Sequence, residues 1–358
     1  MLKLPKSTQI RRAATNLQDR LLHPRSLIKS GKTPFEVVKQ DSLVTLRHYL
    51  PKDQPKYSIP LVIVPPLAVN MLIYDWFPDR TFVKTMVDLG FDVYLIDWGK
   101  PDRRHAHYDL ATYINDFMPE YLQAVQRHSG QQNLSLHGWS MGGGLCLCYQ
   151  ALNQDPNIIN IVTLGTAVDG HANGQIGRQY AAFGRVLKGL KLDVRKVPAS
   201  WAYAPAWINA LGFKLSDPIS GVQGYVDLIK HLDDREFVSQ STTQSAFLDN
   251  LEAYPGGVIR DWMYSVWLEN EASQGYISVA GEKACFRYIE SNLMCCAGSN
   301  DKLANAHSCM PLMDMVSSTD KSFHLFPGGH TGIVSGSQAP ERIWPEIADW
   351  LASRSGVN

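Results

Sequence analysis

The stretch His137-Gly138-Trp139-Ser140-Met141-Gly142-Gly143-Gly144 decides the fold of this chain, because it holds a serine between two glycines at a junction of strand and helix. The apolar run 133–137 (NLSLH) predicts a short buried strand, and the run 145–152 predicts a helix. The flanking glycines leave space beside a sharply turned serine, where a Cβ would crowd the corner. The pattern therefore predicts a nucleophile elbow with Ser140 at its tip.

An acid and a histidine follow the serine in the order that a Ser-His-Asp triad requires. The run 292–297 (NLMCCA) leads into a loop with Asp301, and the run 322–326 (SFHLF) leads into a glycine-rich loop with His330. Loops at one edge of a parallel sheet can bring both side chains to one serine. We predict His330 as the base and Asp301 as the acid, with Asp169, also just past a strand, as the fallback acid. The structural alternative is a turn-capping aspartate and an ordinary loop histidine.

Strand-like runs alternate with helical segments in the first half of the chain. The runs 61–64 (LVIV), 91–96 (FDVYLI) and 159–164 (INIVTL), together with the elbow strand, are separated by helix-compatible sequence. Such alternation predicts crossover units and a mostly parallel sheet with helices on both faces. With the elbow, it predicts an α/β-hydrolase fold.

The alternation of strand-like and helical segments stops over residues 169–287. Aromatic residues are frequent there in helix-like stretches: Trp201, Tyr203, Trp207, Phe213, Trp262, Tyr264 and Trp267. We therefore predict a basic N-terminal segment (1–32), a first half of the core (33–168), an inserted cap (169–287) and a second half of the core (288–358). A helix over 341–354 is expected to close the chain. The cap aromatics either line an acyl pocket or pack the cap on the core.

Two backbone amides are predicted to stabilise the oxyanion of a substrate bound to Ser140. One is that of Met141, at the positive end of the following helix. The other comes from the loop after the LVIV strand, where Val69 and its neighbour Asn70 are the candidates.

Composition limits the classes of function. The chain has 358 residues, 45% of them hydrophobic, and can bury a large core, while its formal net charge of +0 gives no general attraction to nucleic acid. Its six cysteines match no zinc-ligand spacing, so no metal or cofactor is expected. With no signal peptide visible and no long apolar span, we expect reduced, buried thiols and a cytoplasmic location.

Residues 1–32 are rich in lysine and arginine, with Asp19 as the single acid. Apolar residues recur there at helical spacing before Pro24, and they are Ile10, Ala14, Leu17 and Leu21. A short amphipathic helix is therefore expected. It packs on the domain, remains a loose tail, or contacts a membrane or granule surface.

Several stretches are shared with a known family: 33–38 (TPFEVV), 92–99 (DVYLIDWG), the elbow, and 326–332 (FPGGHTG). On these residues the chain resembles the polyhydroxyalkanoate synthases, particularly the shorter type that works with an accessory subunit. The resemblance runs from about residue 33 to the C-terminus. It implies an acyl-CoA or polyester substrate, an accessory partner, and the roles of nucleophile, acid and base for Ser140, Asp301 and His330.

The elbow departs from that family, which has cysteine where this chain has Ser140. Lys302 also follows the acid where the family usually has histidine. A thioester on cysteine keeps the acyl group activated, whereas an oxygen ester on serine loses most of that driving force, so that water competes. We therefore predict a serine enzyme that hydrolyses (hydroxy)acyl esters or thioesters, with polyhydroxyalkanoate as a candidate substrate. Polymerisation of 3-hydroxyacyl-CoA by a serine nucleophile, and a non-catalytic relative that binds granules or a synthase, are the alternatives.

Overall fold

The computed structural model describes residues 7–41, 43–216 and 218–357. Residues 1–6 of the basic segment lie outside the described residues, and so does the side chain of Phe213. The strands in the described part of the chain are β1 (Phe35–Gln40), β2 (Thr45–Tyr49), β3 (Leu61–Val64), β4 (Asp75–Phe77), β5 (Arg80–Thr81), β6 (Val93–Asp97), β7 (Leu134–Trp139), β8 (Ile158–Leu164), β9 (Tyr276–Val279), β10 (Glu282–Cys285), β11 (Asn292–Gly298) and β12 (Lys321–Phe326).

Eight of these strands form the central sheet, in the order β1-β2-β6-β3-β7-β8-β11-β12. The six strands from β6 to β12 in that order run parallel, whereas β2 is antiparallel to both β1 and β6. The remaining strands form two small hairpins, β4 with β5 and β9 with β10. The predicted α/β-hydrolase fold with a mostly parallel sheet is confirmed. The carboxyl ends of β7, β11 and β12 therefore lie along one edge.

The α-helices of the described residues are α1 (Ser7–Leu22), α2 (Phe82–Asp88), α3 (Met118–Ser129), α4 (Met141–Asn153), α5 (Gly174–Gly189), α6 (Ala199–Ala202), α7 (Ala206–Ser216), α8 (Pro218–Lys230), α9 (Arg235–Asp249), α10 (Gly256–Trp262), α11 (Ala306–Cys309), α12 (Leu312–Met315), α13 (Gly332–Ser335), α14 (Ala339–Arg342) and α15 (Trp344–Ala352). Thr112–Phe117 and Met263–Leu268 are π-helical turns. The closing helix predicted over 341–354 is two helices, because Pro345 in the first turn of α15 lacks the N–H that would bond to the preceding turn.

The sheet separates two hydrophobic cores. The side chains of β3 alternate between them, as a strand buried on both faces requires. Val62 and Val64 belong to the core that includes α3 and α4, and Leu61 and Ile63 belong to the core that includes α2 and α15. All four side chains are fully buried.

The interval between β8 and β11 holds helices α5 to α10, and we use the name cap for residues 169–275, which comprise these helices and the segments that join and flank them. The β9–β10 hairpin lies in the same interval but packs against α4 of the core, where Ile277, Ala284 and Phe286 are buried. The cap helices contact the loops that follow β3 and β11, as described below.

Helix α1 packs on α9 of the cap through its polar side. Asn16 is 3% exposed and donates to Leu232 O at 2.8 Å, and Arg20 donates to Thr242 Oγ1 at 2.8 Å. The apolar side faces outward, since Ile10 is 57% exposed and Leu21 69%. The predicted stripe is therefore present but is left uncovered. No helix in the described ranges has the length and apolar character needed to cross a bilayer.

Candidate active site

Ser140 lies at the corner between β7 and α4 with φ 54° and ψ −124°, a backbone conformation that residues other than glycine rarely adopt. The backbone holds it there, because Ser140 N donates to Leu164 O at 2.8 Å and Thr166 Oγ1 donates to Ser140 O at 2.9 Å. A Cβ at Gly142 would lie 2.1 Å from Val64 O. A Cβ at Gly138 would lie 2.4 Å from Gly143 Cα, so both positions need glycine.

The structure brings Ser140, His330 and Asp301 together. Gly298 at the end of β11 is paired with Phe326 at the end of β12, so the two following loops start side by side. His330 Nε2 lies 2.9 Å from Ser140 Oγ, and His330 Nδ1 lies 2.7 Å from Asp301 Oδ2. When Nδ1 donates its proton to the carboxylate, the Nε2 lone pair is free to accept the serine proton.

The Asp301 carboxylate is fully buried, and its two oxygens have separate partners. Oδ1 accepts hydrogen bonds from the backbone N–H groups of Leu303 and Ala304, both at 2.8 Å. Oδ2 is left for His330. Gly165 lets the chain after β8 pass close to the Asp301 carboxylate, because it has φ 60° and an added Cβ would lie only 3.3 Å from Asp301 Oδ2.

Asp169 lies away from this arrangement. Its Oδ1 accepts hydrogen bonds from Ala172 N at 3.1 Å and from Asn270 Nδ2 at 2.8 Å, so it caps the short 3₁₀ turn that begins the cap interval. Between the two acids considered from the sequence, the histidine contacts Asp301.

The peptide group between Ala68 and Val69, in the loop after β3, is held in place by hydrogen bonds from the interval between β8 and β11. Ala68 has φ 63°, and its carbonyl accepts hydrogen bonds from Asn209 Nδ2 at 2.7 Å and Glu252 N at 3.2 Å. In a trans peptide the C=O and the next N–H point in opposite directions. The Val69 N–H is therefore directed away from the groups that hold the Ala68 carbonyl. Val69 also lines the cavity at Ser140.

Asn70, the other candidate, connects the core to the cap through its side chain. Its Nδ2 donates to Phe247 O at 2.9 Å and to Asn250 O at 3.0 Å, while Oδ1 accepts from Leu72 N at 3.1 Å. Met141, the remaining predicted amide, is the first residue of α4 and is 5% exposed. As one of the first N–H groups of the helix, it has no acceptor within the helix.

A cavity of about 190 Å³ lies over Ser140 and His330. Its walls come from the cap and from the loops after β3, β8 and β11, and the cap residues are Asn209, Tyr254, Trp262 and Trp267. Trp262 lies directly on α4, since a Cβ at Gly144 would come within 2.4 Å of its ring. By contrast, Trp201 is 81% exposed and Trp207 is 67% exposed. Of the crowded aromatics, Trp262 and Trp267 therefore line the cavity, whereas Trp201 and Trp207 lie at the surface.

Three asparagines fasten the cap to the loops of the site, and sequence reasoning identified only Asn70. Asn209 was missed, and so was Asn173, which is 2% exposed. Asn173 Nδ2 donates to Lys302 O at 3.1 Å and to Leu303 O at 2.9 Å, and Asn305 N donates to its Oδ1 at 2.9 Å. No spacing in the sequence marks these cap asparagines, because their partners are backbone groups far along the chain.

Comparison with known proteins agrees with this fold. A family model described as the alpha/beta hydrolase fold matches residues 60–191. A soluble variant of the Saccharomyces cerevisiae monoglyceride lipase superposes with a TM-score of 0.60 at 14% identity, covering 92% of this chain and 97% of the lipase. The monoacylglycerol lipase of Paleococcus ferrophilus gives 0.52 at 18% identity, covering 84% of this chain and 98% of the lipase. The chain is thus an enzyme of the α/β-hydrolase class.

Within that class, its homologues are poly(3-hydroxyalkanoate) polymerase subunits named PhaC. The Haloferax mediterranei subunit is 29% identical over 92% of this chain, and the match spans 66% of that subunit, just under two thirds of its length. The Allochromatium vinosum subunit is 26% identical over 91% of this chain and 90% of its own length. The chain thus has the α/β-hydrolase fold and is similar in sequence to these polymerase subunits along most of its length.

Proposed function

We propose that this enzyme transfers acyl groups through an ester on Ser140 and that water is its main acceptor, so that it hydrolyses (hydroxy)acyl esters or thioesters. The observation that carries the proposal is the hydrogen-bonded chain from Ser140 through His330 to a buried Asp301, set beneath a cavity with aromatic walls. The polymerase homologues support hydroxyacyl thioesters and polyesters as the substrate class.

In the proposed reaction, Ser140 Oγ attacks the acyl carbonyl while His330 Nε2 takes its proton. Asp301 accepts the Nδ1 hydrogen bond and stabilises the imidazolium. The N–H groups of Met141 and Val69 stabilise the oxyanion. The alcohol or thiol then leaves with the proton from His330. Water attacks the acyl-serine by the same steps in reverse and releases the acid.

The serine nucleophile favours hydrolysis over chain growth. Transfer from an oxygen ester to another alcohol is close to thermoneutral, so the far more abundant water competes well. The second candidate is polymerisation of 3-hydroxyacyl-CoA at the same serine, which the homologues favour. A non-catalytic role is the third, and the intact hydrogen bonds of Ser140, His330 and Asp301 argue against it.

Exchanging the nucleophile should separate hydrolysis from polymerisation. With 3-hydroxyacyl-CoA, Ser140→Cys is expected to raise the ratio of oligomer to free 3-hydroxy acid, because its intermediate is an activated thioester. With an unactivated alkyl ester the same variant should be slower, since the tetrahedral intermediate expels the thiolate again more readily than the alkoxide. Mass spectrometry of the products measures the ratio, with Ser140→Ala as the blank. A wild-type enzyme that already makes long polymer with little free acid would favour the polymerase.

The cap asparagine at the oxyanion loop allows a second test. Asn209→Asp replaces the amide that donates to Ala68 O and Glu252 O with a carboxylate, which repels both carbonyls. We expect kcat to fall by a factor of about 10² while KM changes little, as for loss of one oxyanion donor. Steady-state kinetics and the rate of fluorophosphonate labelling measure this. Asn209→Gln keeps the donor and should recover part of the rate. A rise in KM alone would assign Asn209 to substrate binding instead.

We also propose that the outward side of α1 contacts an apolar surface such as a polyester particle, or an accessory subunit. The support is the exposure of Ile10, Leu17 and Leu21 together with the neighbouring Arg11 and Arg12. Sedimentation with polyester particles should weaken when Leu17 and Leu21 are replaced by glutamine, while ester hydrolysis stays unchanged. Equal sedimentation of both forms would refute the particle contact.

A further inference from the structure

A cluster of metal-ligand side chains lies at the far end of the central sheet from Ser140. Glu36 is on β1, His48 is on β2, and His128 is in the last turn of α3. In the sheet, β6 and β3 separate β2 from β7, which carries the elbow. The proposed acyl transfer uses none of these side chains.

The three side chains have nearly the spacing of ligands around one ion. Glu36 Oε1 lies 2.8 Å from His48 Nδ1 and 3.6 Å from His128 Nε2. All three ligand atoms are within 4.8 Å of one another. A tetrahedral ion with bonds near 2.0–2.1 Å places its ligand atoms roughly 3.4 Å apart. Small side-chain rotations therefore suffice to bring the three atoms into one coordination sphere.

Outer hydrogen bonds orient both imidazoles for this role. His48 Nε2 lies 2.8 Å from Asp92 Oδ1, and His128 Nδ1 lies 2.8 Å from Tyr94 Oη. The Asp92 carboxylate can only accept, so it holds the proton on His48 Nε2 and leaves the Nδ1 lone pair for a metal ion. When Tyr94 Oη accepts from His128 Nδ1, the Nε2 lone pair of His128 is free in the same way. The His48 ring is fixed further by stacking on Tyr94, with ring centroids 4.6 Å apart.

The contact between His48 and Glu36 requires a cation. If Nε2–H donates to Asp92, then Nδ1 of the neutral ring presents a lone pair to a carboxylate oxygen 2.8 Å away. Two acceptors at that distance repel each other unless a proton or a metal ion lies between them. The carboxylates of Glu36 and Asp92 add two negative charges, which favour a dication.

We propose that Glu36, His48 and His128 bind one divalent transition-metal ion, with water as the fourth ligand and Zn²⁺ as the ion that the ligand set suits. The ion would join the β1–β2 hairpin to the end of α3 at the edge of the sheet. The expectation of no metal rested on cysteine spacing, whereas these ligands are imidazoles and a carboxylate on three separate elements.

The proposal can be tested by isothermal titration calorimetry of the chelator-treated protein with Zn²⁺, together with thermal unfolding with and without the ion. We expect saturable binding of one ion per chain and a rise in the midpoint of thermal unfolding. Tyr94→Phe keeps the ring, removes the hydroxyl that lies next to His128 Nδ1, and should weaken binding by about 10- to 100-fold. His128→Gln and Glu36→Gln each remove a ligand and should weaken it more. Both of these side chains are partly exposed, so the variants are expected to fold.

His324→Gln is the matched control. His324 also contacts a glutamate, with Nδ1 2.5 Å from Glu346 Oε1, and its Nε2 lies 2.8 Å from Ser322 Oγ. This histidine–glutamate pair has one imidazole, whereas the proposed metal site has two. This variant should bind Zn²⁺ as the wild type does. If His128→Gln binds as tightly as the wild type, or if the wild type does not bind Zn²⁺, the proposal is wrong and the cation between His48 and Glu36 is a proton.

Discussion

Ser140→Ala is expected to lower turnover of an activated ester by a factor on the order of 10⁶, and His330→Ala by a similar factor. The two groups act as a unit, because the first step needs both the Ser140 hydroxyl as nucleophile and the His330 imidazole, 2.9 Å away, as the base that takes its proton. The double variant should therefore be no slower than either single variant. Initial rates with a p-nitrophenyl ester measure this, together with fluorophosphonate labelling, which should be lost in Ser140→Ala.

Ser299→Ala serves as the control for a serine at the same edge of the sheet. Ser299 is exposed on the loop that carries Asp301, and its backbone N–H donates to Phe326 O at 2.8 Å. This variant should keep nearly the full rate. Residual labelling or turnover in Ser140→Ala above about one part in 10³ would point to another nucleophile, since an intact oxyanion hole alone gives far less.

Asp301→Asn is expected to lower kcat by a factor of about 10⁴ without loss of the fold. The asparagine oxygen can still accept from the N–H groups of Leu303 and Ala304, which turns its NH₂ group toward His330. His330 Nδ1 must then accept a hydrogen bond, and its proton moves to Nε2. Because Nε2 then presents N–H to Ser140 Oγ, the imidazole cannot take the serine proton.

Asp169→Asn distinguishes this effect from a general loss of acidic groups. Asp169 accepts from Ala172 N and from the side chain of Asn270, at the start of the cap interval. Near wild-type kcat is expected, with circular dichroism and thermal unfolding as checks on both variants. If Asp169→Asn were the slow variant and Asp301→Asn the fast one, the assignment of the acid would be wrong.

The sequence predicted the fold because the signals for it are local. The LVIV strand was predicted with its observed bounds, and the strand predicted over 159–164 is observed at Ile158–Leu164. The glycines around Ser140 report a close approach that leaves no room for a side chain. The order of serine, acid and histidine predicted which three loops meet, since parallel strands end at one edge.

The choice between Val69 and Asn70 could not be made from the sequence. It depends on the orientation of the Ala68 peptide, which is set by φ 63° at a residue type that rarely adopts it. A glycine would have signalled that turn, but an alanine does not. The partners of the Ala68 carbonyl, Asn209 and Glu252, lie in the cap and are brought near by the tertiary fold alone.

The outward direction of the apolar stripe on α1 was also beyond the sequence. Helical spacing of Ile10, Leu17 and Leu21 predicts that these residues share a face, and burial is the usual fate of such a face. Here Asn16 and Arg20 find hydrogen-bond partners on the cap, and the opposite face is covered instead. Which face of a helix is buried depends on the surface that it packs against, and the spacing of apolar residues does not reveal that surface.

The double hydrogen bond to the Ala68 carbonyl links the position of the cap to the ability to react. If the cap lifts, both donors leave with it, and the peptide that carries the Val69 N–H is free to turn. In the proposed mechanism, an open molecule would exchange substrate and product but would lack the Val69 donor. Because the proposed hydrolysis of the acyl-serine needs the same donors as its formation, the bound acyl group would survive each opening. Loading and reaction would thus alternate in time, which suits a substrate too long to be enclosed at once.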